Sequence, residues 1–391
     1  MHVHAADLDR WSQEFTEEQR LLSEVARSFA STRLAPGARQ RDRTGAFPLD
    51  LIGVVAELGL LGMKVPVEDG GSGTDNVGYA LAMEAVAEAC ASTAVILASS
   101  NLASKILSDH GSAGQKDRWL RPYVAGRLGP ASFALTEPGG GSDAAAIRTT
   151  AREDGDAYVL DGEKVWITSG AHAGIHLVFA RSDGAGKSGI SCFVIERGTP
   201  GLVIGKDEDK MGQRASGTVA LAFDGCRVPA ANLVGARGQG YAIALSALGA
   251  GRVGIAALSI GLGEAAFRAG AEYARDRTVF GQKLVALQNT QFVLADARTE
   301  LDAAWLLTFR AARLLDSGSK ASAECSMAKL FASEAAGRVI DKMLQLHGGY
   351  GYSREVDVER YYRDARVTRI YEGTSEIQRL VIARELMRGL G

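Results

Sequence analysis

Apolar positions recur at helical spacing through residues 1–128 of the 391-residue chain. Thr16 and Gln19 have the spacing of a capping box at the start of the first helix, and the pair Pro36-Gly37 predicts its end. A second short apolar helix is predicted over 51–58, and an alanine-rich buried helix over 77–97. This part of the chain is therefore expected to form a helical domain.

Short runs of strand-forming residues, separated by Gly and Asp, replace that pattern near Ala131. Asp161-Gly162 lies between the runs 158–160 and 163–167, and this dipeptide favours the tight turn of a β-hairpin. Further strands are predicted over 176–180, 190–195, 202–204 and 219–223. Residues 129–236 are thus expected to form a small β domain, either a sandwich or a barrel.

Long helical patterns return after Gly240. Four long helices with short connections favour an antiparallel bundle over 237–391, and apolar faces of this extent often continue into contacts between subunits. The predicted helices cover 241–276, 287–316, 321–346 and 375–388. The chain is therefore predicted to be an α+β protein, mostly α, with an N-terminal helical domain, a middle β-barrel or sandwich domain and a C-terminal four-helix bundle, and to form an oligomer.

Composition and charge argue against several classes of function but do not identify one. The formal net charge of -2 gives no reason to expect a nucleic acid or an anionic membrane as partner, and no run of about 18 apolar residues predicts a membrane span. The N-terminal residues lack the pattern of a secretory signal or transit peptide, and four scattered cysteines fit a reducing compartment, so a cytoplasmic location is expected. The cysteines and the six histidines lack metal-ligand spacing, and no G-x-G-x-x-G fingerprint joins a predicted strand to a helix, so neither a metal nor a Rossmann site is expected.

One carboxylate, Glu372, stands between an aromatic residue and a glycine just before a predicted helix. Thr374 and Ser375 can both cap that helix, and the spacing from Ser375 to Gln378 matches a capping box. Gly373 lets another group approach the backbone closely. A rigidly placed carboxylate beside such an opening is a candidate general base; the alternative is an ordinary loop glutamate.

Two stretches of the predicted β domain indicate a site for a flat ring. The glycine-rich segment 133–143 exposes backbone N–H groups and carries the hydroxyls of Thr136 and Ser142. Because side chains alternate along a strand, Trp166 and Thr168 are expected on one face, where they suit an aromatic cofactor ring. The alternatives are an ordinary loop and a core tryptophan.

Three stretches of the C-terminal region contain arginines or glycines that are candidate contacts for a ligand. Arg277 can pair with a phosphate in fork geometry, although a surface arginine at a helix end has the same sequence signature. The glycine cluster in 345–351 follows a long predicted helix, where it can serve simply as a C-cap. Arg252 lies in a mostly apolar helix, where a cation is costly unless it is paired or directed at a ligand.

Six motifs in this order resemble those of the acyl-CoA dehydrogenases, and most closely those of their short-chain members. The motifs are FALTEPGGGSD, KVWITSG, RTVFG, QLHGGYGY, YYRDAR and YEGTSEIQR, and the resemblance extends from about residue 15 to the end of the chain. It implies an N-terminal helical domain, a middle β domain, a C-terminal four-helix bundle, a homotetramer and one non-covalent FAD per subunit.

Matching positions in these motifs imply individual roles. Glu372 would be the catalytic base, with Ser142, Arg252 and Gly373 on the substrate side. The flavin ring would be lined by Phe133, Leu135, Thr136, Ser142, Trp166, Ile167 and Thr168. The rest of FAD would be held by Arg277, Phe280, Gln288, Gln345, Gly348 and Gly349, some of them from a neighbouring subunit, with Thr374 and Glu376 completing the cofactor site.

The resemblance also implies a reaction, the α,β-dehydrogenation of a short or branched saturated acyl-CoA to the trans-2-enoyl-CoA. Glu372 would take the α-proton, while its backbone N–H and a ribityl hydroxyl of FAD stabilise the developing enolate. A β-hydride would pass to flavin N5, near which Thr168 would bond, and the electrons would continue to electron-transfer flavoprotein. Expulsion of water by the substrate would raise the pKa of Glu372, and the helix N-terminus at Thr374 would lower it.

Three positions depart from the patterns of particular relatives. Gly251 stands where other members place the base, just before Arg252, which leaves Glu372 alone in that role. Gly249 replaces an aspartate that meets the CoA chain in short-chain members, so a carrier-protein thioester stays open as a substrate. Thr93 replaces the carboxylate-binding arginine of the glutaryl-CoA enzyme, which argues against a dicarboxylic substrate.

Two alternatives share this fold. The first is an oxygen-using flavin oxidase or monooxygenase, although monooxygenase relatives usually lack the glutamate and nitroalkane oxidase uses an aspartate. The second is a scaffold that has lost activity, against which Glu372, Trp166 and Thr168 argue because all three are intact. Acyl length depends on side chains from several helices, so the sequence leaves it open.

Overall fold

Helices, a β-sheet and helices again follow one another along residues 15–390, which the structure, a computed structural model, describes. This order confirms the predicted α+β fold class. The first region holds the helices α1 (Glu17–Phe29), α2 (Ala35–Thr44), α3 (Leu49–Glu57), α4 (Asn76–Ala89), α5 (Ala91–His110), α6 (Ala113–Gln115) and α7 (Arg121–Val124). The capping box of α1 is confirmed, because the Gln19 N–H donates to Thr16 Oγ1 at 3.2 Å and the Thr16 N–H donates to Gln19 Oε1 at 2.9 Å.

Two helix predictions in this region are wrong. The first helix does not end at Pro36-Gly37, because a π-helical turn, Ala30–Leu34, leads directly into α2 with Pro36 in its first turn. A proline there costs little, since its missing N–H would have no partner in the first turn of a helix. The helix predicted over 77–97 is two helices, because Cys90 takes an extended conformation with φ −158° and ψ 100° between α4 and α5.

The middle region forms one eight-stranded sheet within the described residues. The strands are β1 (Ala131–Ala134), β2 (Thr150–Asp154), β3 (Ala157–Thr168), β4 (Ile175–Arg181), β5 (Ile190–Glu196), β6 (Leu202–Ile204), β7 (Thr218–Pro229) and β8 (Leu233–Val234). The strand order is β6-β7-β3-β2-β4-β5-β8, and β1 pairs with β4 in parallel. The predicted strands at β4, β5, β6 and β7 are thus confirmed, with β7 longer than expected.

Strand β4 is covered on both faces. Ile175, Leu177 and Phe179 belong to the large core shared with the helices, whereas Val178 and Ala180 belong to a second core inside the β region. A strand buried on both sides has a nearly continuous apolar sequence. The helices therefore cover one face of β4, and the core inside the β region covers the other.

The hairpin predicted at Asp161-Gly162 is wrong. Strand β3 runs through this pair and has antiparallel partners in both β2 and β7. Gly162 has φ +143°, and the register with β7 shifts there, so the dipeptide forms a β-bulge instead of a turn. A Cβ at Gly162 would lie 2.7 Å from the Cα of Thr149, so this close approach also requires glycine.

The third region contains the long helices α8 (Gly240–Asp276), α9 (Gln288–Asp316), α10 (Ser322–Leu346), α11 (Val358–Arg366) and α12 (Ser375–Leu390), with a short hairpin of β9 (Thr278–Val279) and β10 (Gln282–Lys283). The four predicted long helices, α8, α9, α10 and α12, are confirmed to within two residues at each end. By length and composition α8 could cross a membrane, but 67% of its most apolar window is buried inside the protein. It packs against α4, α5, α9 and α10, as the core helix of a bundle does.

Candidate active site

Glu372 lies in a tight loop between α11 and α12 whose backbone is left-handed at two successive residues. The φ of Glu372 is +50° and that of Gly373 is +89°. Thr374 caps α12, since the Ile377 N–H donates to Thr374 Oγ1 at 3.3 Å. A non-glycine residue in this conformation is uncommon and persists where the surroundings hold it, so the loop is a candidate functional element.

The capping box predicted from Ser375 to Gln378 is wrong. Gln378 Nε2 donates instead to the carbonyl oxygens of Glu372 at 3.1 Å and Gly373 at 2.9 Å. Ser375 Oγ donates to Glu334 Oε1 at 2.7 Å. The polar side chains at the start of α12 therefore hold the Glu372 loop and α10 in place.

The carboxylate of Glu372 has an unpartnered oxygen. The residue is half-buried, but its Oε2 atom is buried and has no hydrogen-bond partner among residues 15–390. Burial raises the pKa of Glu372 to about 7, while the charges of Lys329 and Arg252 act in the opposite direction. A carboxylate that titrates near neutral pH with a free oxygen has the properties of a general base.

Gly251 of α8 faces this carboxylate. A Cβ built on Gly251 would lie within 3.0 Å of Glu372 Oε2, which real Cβ contacts do not show. The bare backbone of α8 therefore makes room for the carboxylate. The next residue, Arg252, is half-buried, and its Nε atom is buried without a hydrogen-bond partner in the described chain.

A narrow pocket beside Gly251 lies between α4, α5 and α8. It is lined by Lys64, Tyr79, Ala98, Asn101, Leu102, Lys105, Ala247, Ala250 and Gly251. Burial and the nearby charge of Glu372 both raise the pKa of Tyr79, so its hydroxyl stays protonated. The pocket therefore adjoins the carboxylate, and apolar side chains of α5 and α8 form much of its lining.

The glycine-rich segment is fixed to β3 by a buried ion pair that the sequence did not reveal. Lys164 Nζ donates to Glu137 Oε1 at 2.6 Å and to the Leu135 carbonyl at 3.2 Å. Glu137 also accepts hydrogen bonds from the backbone N–H groups of Arg148 and Thr149, at 2.6 Å and 2.9 Å. Burial alone would raise the pKa of Glu137, but these hydrogen bonds outweigh it and lower the pKa. Both residues lie inside the predicted motifs, yet neither motif indicates that they pair.

Trp166 lies within a bulge near the end of β3, and Thr168 is the last residue of that strand. The register with β7 shifts between Lys164 and Ile167, and Trp166 has φ +61°. Trp166 is 61% exposed and Thr168 is half-buried, whereas Ile167 between them is buried in the β core. The structure thus places Trp166 and Thr168 outward, and Ile167 could reach a ligand only through its backbone.

The remaining residues of the glycine-rich segment lie around that strand end. The Val165 N–H donates to the Thr136 carbonyl at 2.9 Å, which joins the two motifs directly. Ser142 is exposed, while Phe133 and Leu135 are half-buried and pack against the large core. The predicted ring site therefore has one apolar side and one open side.

The residues predicted to hold the rest of the cofactor are exposed at one end of the C-terminal bundle. Phe280 is 95% exposed at the β9–β10 turn with φ +49°. The His347 ring stacks on Tyr273 with ring centroids 4.4 Å apart, which brings the segment after α10 to the end of α8. The exposed predicted residues there are Arg277, Phe280, Gln288, Gln345, Gly348 and Gly349.

Gln213 links the predicted ring site to the Glu372 loop, and the sequence contained no signal for it. Its Nε2 donates to Tyr371 Oη and to the Asp364 carbonyl, each at 3.1 Å. Four residues later, the Gly217 carbonyl accepts the Ser169 N–H at 2.7 Å, at the end of β3. The sites built around Trp166 and Glu372 are therefore mechanically connected.

This arrangement fits a flavin nucleotide. Trp166 offers an exposed aromatic surface beside the Thr168 hydroxyl, and Ser169 Oγ is buried without a hydrogen-bond partner among the described residues. A Cβ at Gly139 or Gly140 would meet nothing within 4 Å, so their backbone is open to an approaching group. Arg277 at the end of α8 supplies a cation suited to a phosphate.

Three family models match the chain in succession. They are the N-terminal domain of acyl-CoA dehydrogenase over residues 16–127, the middle domain over 132–226 and the C-terminal domain over 238–387. These matches cover most of the described residues and follow the same order as the helical, β and helical regions.

Individual relatives agree with this assignment. The chain is 48% identical over 380 residues to the mitochondrial short-chain specific acyl-CoA dehydrogenase of Mus musculus, covering 96% of this chain and 92% of that one. It is 44% identical over 379 residues to the probable acyl-CoA dehydrogenase YngJ of Bacillus subtilis (strain 168), covering 96% and 99%. The solved butyryl-CoA dehydrogenase of Megasphaera elsdenii superimposes with a TM-score of 0.93 at 38% identity, covering 95% and 99%. The chain therefore belongs to the acyl-CoA dehydrogenase family, and it is an FAD-dependent oxidoreductase that acts on acyl-CoA.

Proposed function

We propose that this enzyme removes two hydrogens from the α and β carbons of a short or branched saturated acyl-CoA, with Glu372 as the base that takes the α-proton. The observation that carries this proposal is the unpartnered Oε2 of Glu372, beside bare α8 backbone and a small pocket. A pKa near 7 leaves a useful fraction of the carboxylate ionised at neutral pH.

The chain's own residues supply the geometry. Trp166, Thr168, the glycine-rich segment and Arg277 would hold FAD, which when bound supplies the acceptor for the hydride that leaves the β-carbon. Glu372 accepts the α-proton, so the substrate loses one proton and one hydride in total. Gly373 leaves the backbone open beside the carboxylate, and the Glu372 N–H can stabilise the enolate oxygen. Closure of the site by the acyl chain excludes water and strengthens the base.

The names of two relatives described above, a short-chain specific enzyme and a butyryl-CoA enzyme, support a short acyl chain. A CoA thioester is the favoured form of the substrate, and Gly249 keeps a carrier-protein thioester as the alternative.

We further propose that the electrons pass to electron-transfer flavoprotein, that the enzyme works in the cytoplasm, and that it is a homotetramer. Exposed apolar residues on α12 support the tetramer, because a soluble subunit usually covers such a patch.

The Glu372→Gln variant tests the assignment of the base. It keeps the size and most contacts of the side chain but removes its ability to take a proton. We expect the purified variant to retain FAD, as judged from its visible absorbance, and to lose nearly all bleaching of the flavin by butyryl-CoA. Retained turnover in this variant would contradict the assignment of Glu372 as the base. Hydrogen peroxide formed in air at the rate of substrate loss would instead favour an oxidase.

A further inference from the structure

Lys329 is a fully buried lysine in the middle of α10, outside every motif that the sequence singled out. Its relative exposure is 0%, and its Nζ donates a hydrogen bond to the Gly373 carbonyl at 2.8 Å. Burying an ammonium group is costly, and an apolar side chain of similar volume would fill a bundle core at lower cost. Lys329 contacts Gly373, the residue next to Glu372, so we expect this lysine to do more than fill the core.

The segment that Lys329 contacts cannot hold its conformation unaided. Glu372 and Gly373 both have positive φ, a region in which a non-glycine residue such as Glu372 is strained. The donors that hold it come from two helices: Gln378 Nε2 of α12 contacts both carbonyls, and Lys329 Nζ of α10 contacts that of Gly373. Lys329 and Gln378 are both 0% exposed, so neither donor can be replaced by water. Removing one donor should let the carboxylate move.

The charge of Lys329 also acts on Glu372. The charged groups around its Nζ are Glu372 in the loop, Arg252 on α8, Glu334 on α10 itself and Glu376 on α12. Burial lowers the pKa of Lys329 to about 8, and the charge of Glu372 is the largest influence in the other direction. Lys329 is therefore mostly protonated at neutral pH, and it opposes the effect of burial on Glu372 together with Arg252.

We infer that Lys329 is a positioning residue for the reaction: its ammonium group fixes the left-handed turn at Glu372 and Gly373 and keeps the Glu372 carboxylate ionised at neutral pH. This inference rests on the proposed role of Glu372 as the base. It extends that role by assigning the ionisation of the base to a residue 43 positions earlier, on another element. Because Lys329 is buried behind the loop carbonyl, it acts through Glu372 and not on the substrate.

Two substitutions separate the two parts of this inference. Lys329→Met removes both the hydrogen-bond donor and the charge at nearly constant volume. Lys329→Gln removes the charge and retains an N–H donor, one bond nearer the backbone than the lysine Nζ. Lys342→Met is the matched control, because Lys342 lies on the same helix and its Nζ is 3.4 Å from Glu300 Oε1, away from the loop.

The readout is the pH profile of kcat/KM with butyryl-CoA, measured with FAD content and Tm for each variant. We expect the acidic limb to move up by about one pH unit in both Lys329 variants, the size of effect that a nearby opposite charge has on a carboxylate. The Met variant should in addition lose kcat roughly tenfold or more, because a misplaced base is a poor one. The Lys342→Met profile should match the unchanged enzyme.

Failure of this inference can be told from failure of the proposed function. If the unchanged enzyme does not transfer hydrogen from butyryl-CoA or from any acyl-CoA in a panel, the proposed function itself is wrong. If the unchanged enzyme works and the Gln variant binds FAD but keeps the same acidic limb, Lys329 is only a structural residue. The Gln variant decides the matter even if the Met variant does not fold, since it retains a polar side chain and its acidic limb reports the loss of the charge.

Discussion

The carboxylate of Glu372, on a loop, lies against the backbone of α8 at Gly251, where no side chain intervenes. Neither residue has a special chemistry by itself. Together they give a carboxylate with one buried and unpartnered oxygen and a pKa near 7. The chemical character of the proposed base therefore comes from its surroundings, and three predictions at the scale of single residues depend on it.

Gly251→Ala should inactivate the enzyme without unfolding it. The added methyl group would overlap Glu372 Oε2 and push the carboxylate away from its position. Because a displacement of about 1 Å can cost on the order of a hundredfold in rate, we expect kcat with butyryl-CoA to fall by roughly that factor. Gly53→Ala on α3 is the control, since its Cβ would meet nothing within 4 Å. Equal kcat values for the two variants would contradict the contact.

The pH dependence of activity should reflect Glu372. The carboxylate must be ionised to accept a proton, and burial raises its pKa to about 7. We expect kcat/KM to rise with pH through an apparent pKa near 7 and to level off above it. Steady-state rates with butyryl-CoA between pH 5 and pH 9 would measure this limb. A plateau that already extends down to pH 5 would show that the carboxylate titrates in its ordinary range.

Glu372 should also lower stability at high pH. Its pKa is about 7 in the folded state and near 4.5 in an unfolded chain, so the folded state binds more protons between these values. Stability contributed at this site therefore falls as pH rises from 4.5 to 7. We expect Glu372→Gln to raise Tm relative to the unchanged enzyme at pH 8 and to have little effect at pH 5. Thermal unfolding at the two pH values tests this, and a variant that is less stable at pH 8 would contradict it.

At the scale of elements, the β region depends on contacts that join its segments across sequence. The ion pair of Lys164 with Glu137 fixes the glycine-rich segment to β3, and Gln213 connects the end of the sheet to the loop before Glu372. These contacts fix the position of the exposed Trp166 relative to the buried Glu372 carboxylate.

Lys164→Met should destabilise the protein and weaken its hold on FAD. It would leave Glu137 as a buried charge without its cation, and breaking a buried pair in this way costs about 3–5 kcal/mol. We expect a lower Tm and a lower FAD content in the purified variant. Lys206→Met is the control, because Lys206 lies in the same region and is exposed. A Lys164→Met protein with unchanged Tm and FAD content would show that the pair contributes nothing.

At the scale of the whole molecule, exposed apolar side chains indicate surfaces that a single chain leaves uncovered. Leu380, Leu386, Met387 and Leu390 are exposed on α12, whose described buried residues are only Ser375 and Gln378. A helix with so little buried surface gains most of its stability from other contacts. Partner subunits are the proposed source of those contacts.

Subunit association should therefore depend on α12. We expect light scattering after size-exclusion chromatography to give about four times the chain mass of 41.2 kDa for the unchanged enzyme. The double substitution Leu386→Glu with Met387→Glu should reduce that mass. Leu21→Glu on α1, also at an exposed leucine, should not. A monomeric unchanged enzyme, or a double variant that stays tetrameric, would contradict this role of α12.

The sequence predicted the elements well where the signal is local. The boundaries of α8, α9, α10 and α12 and the cores of β4 to β7 follow from periodicity, and the Thr16 capping box follows from two residue types at a fixed spacing. Predictions failed where distant contacts overrode local preference. Asp161-Gly162 forms a bulge because β3 has partners on both sides, and Cys90 interrupts an alanine-rich run that local propensity alone would continue.

The sequence alone determined the order of the three regions, the family motifs and Glu372 as the candidate base, because these are carried by residue types close together along the chain. Only the tertiary structure decided what surrounds that base. Gly251 lies 121 positions before Glu372 and Lys329 lies 43 positions before it, so no local pattern relates them. The physical reason is that burial and charge at a site are sums over everything packed around it. Here α8, α10 and α12 together turn a loop glutamate into a carboxylate with a pKa near 7.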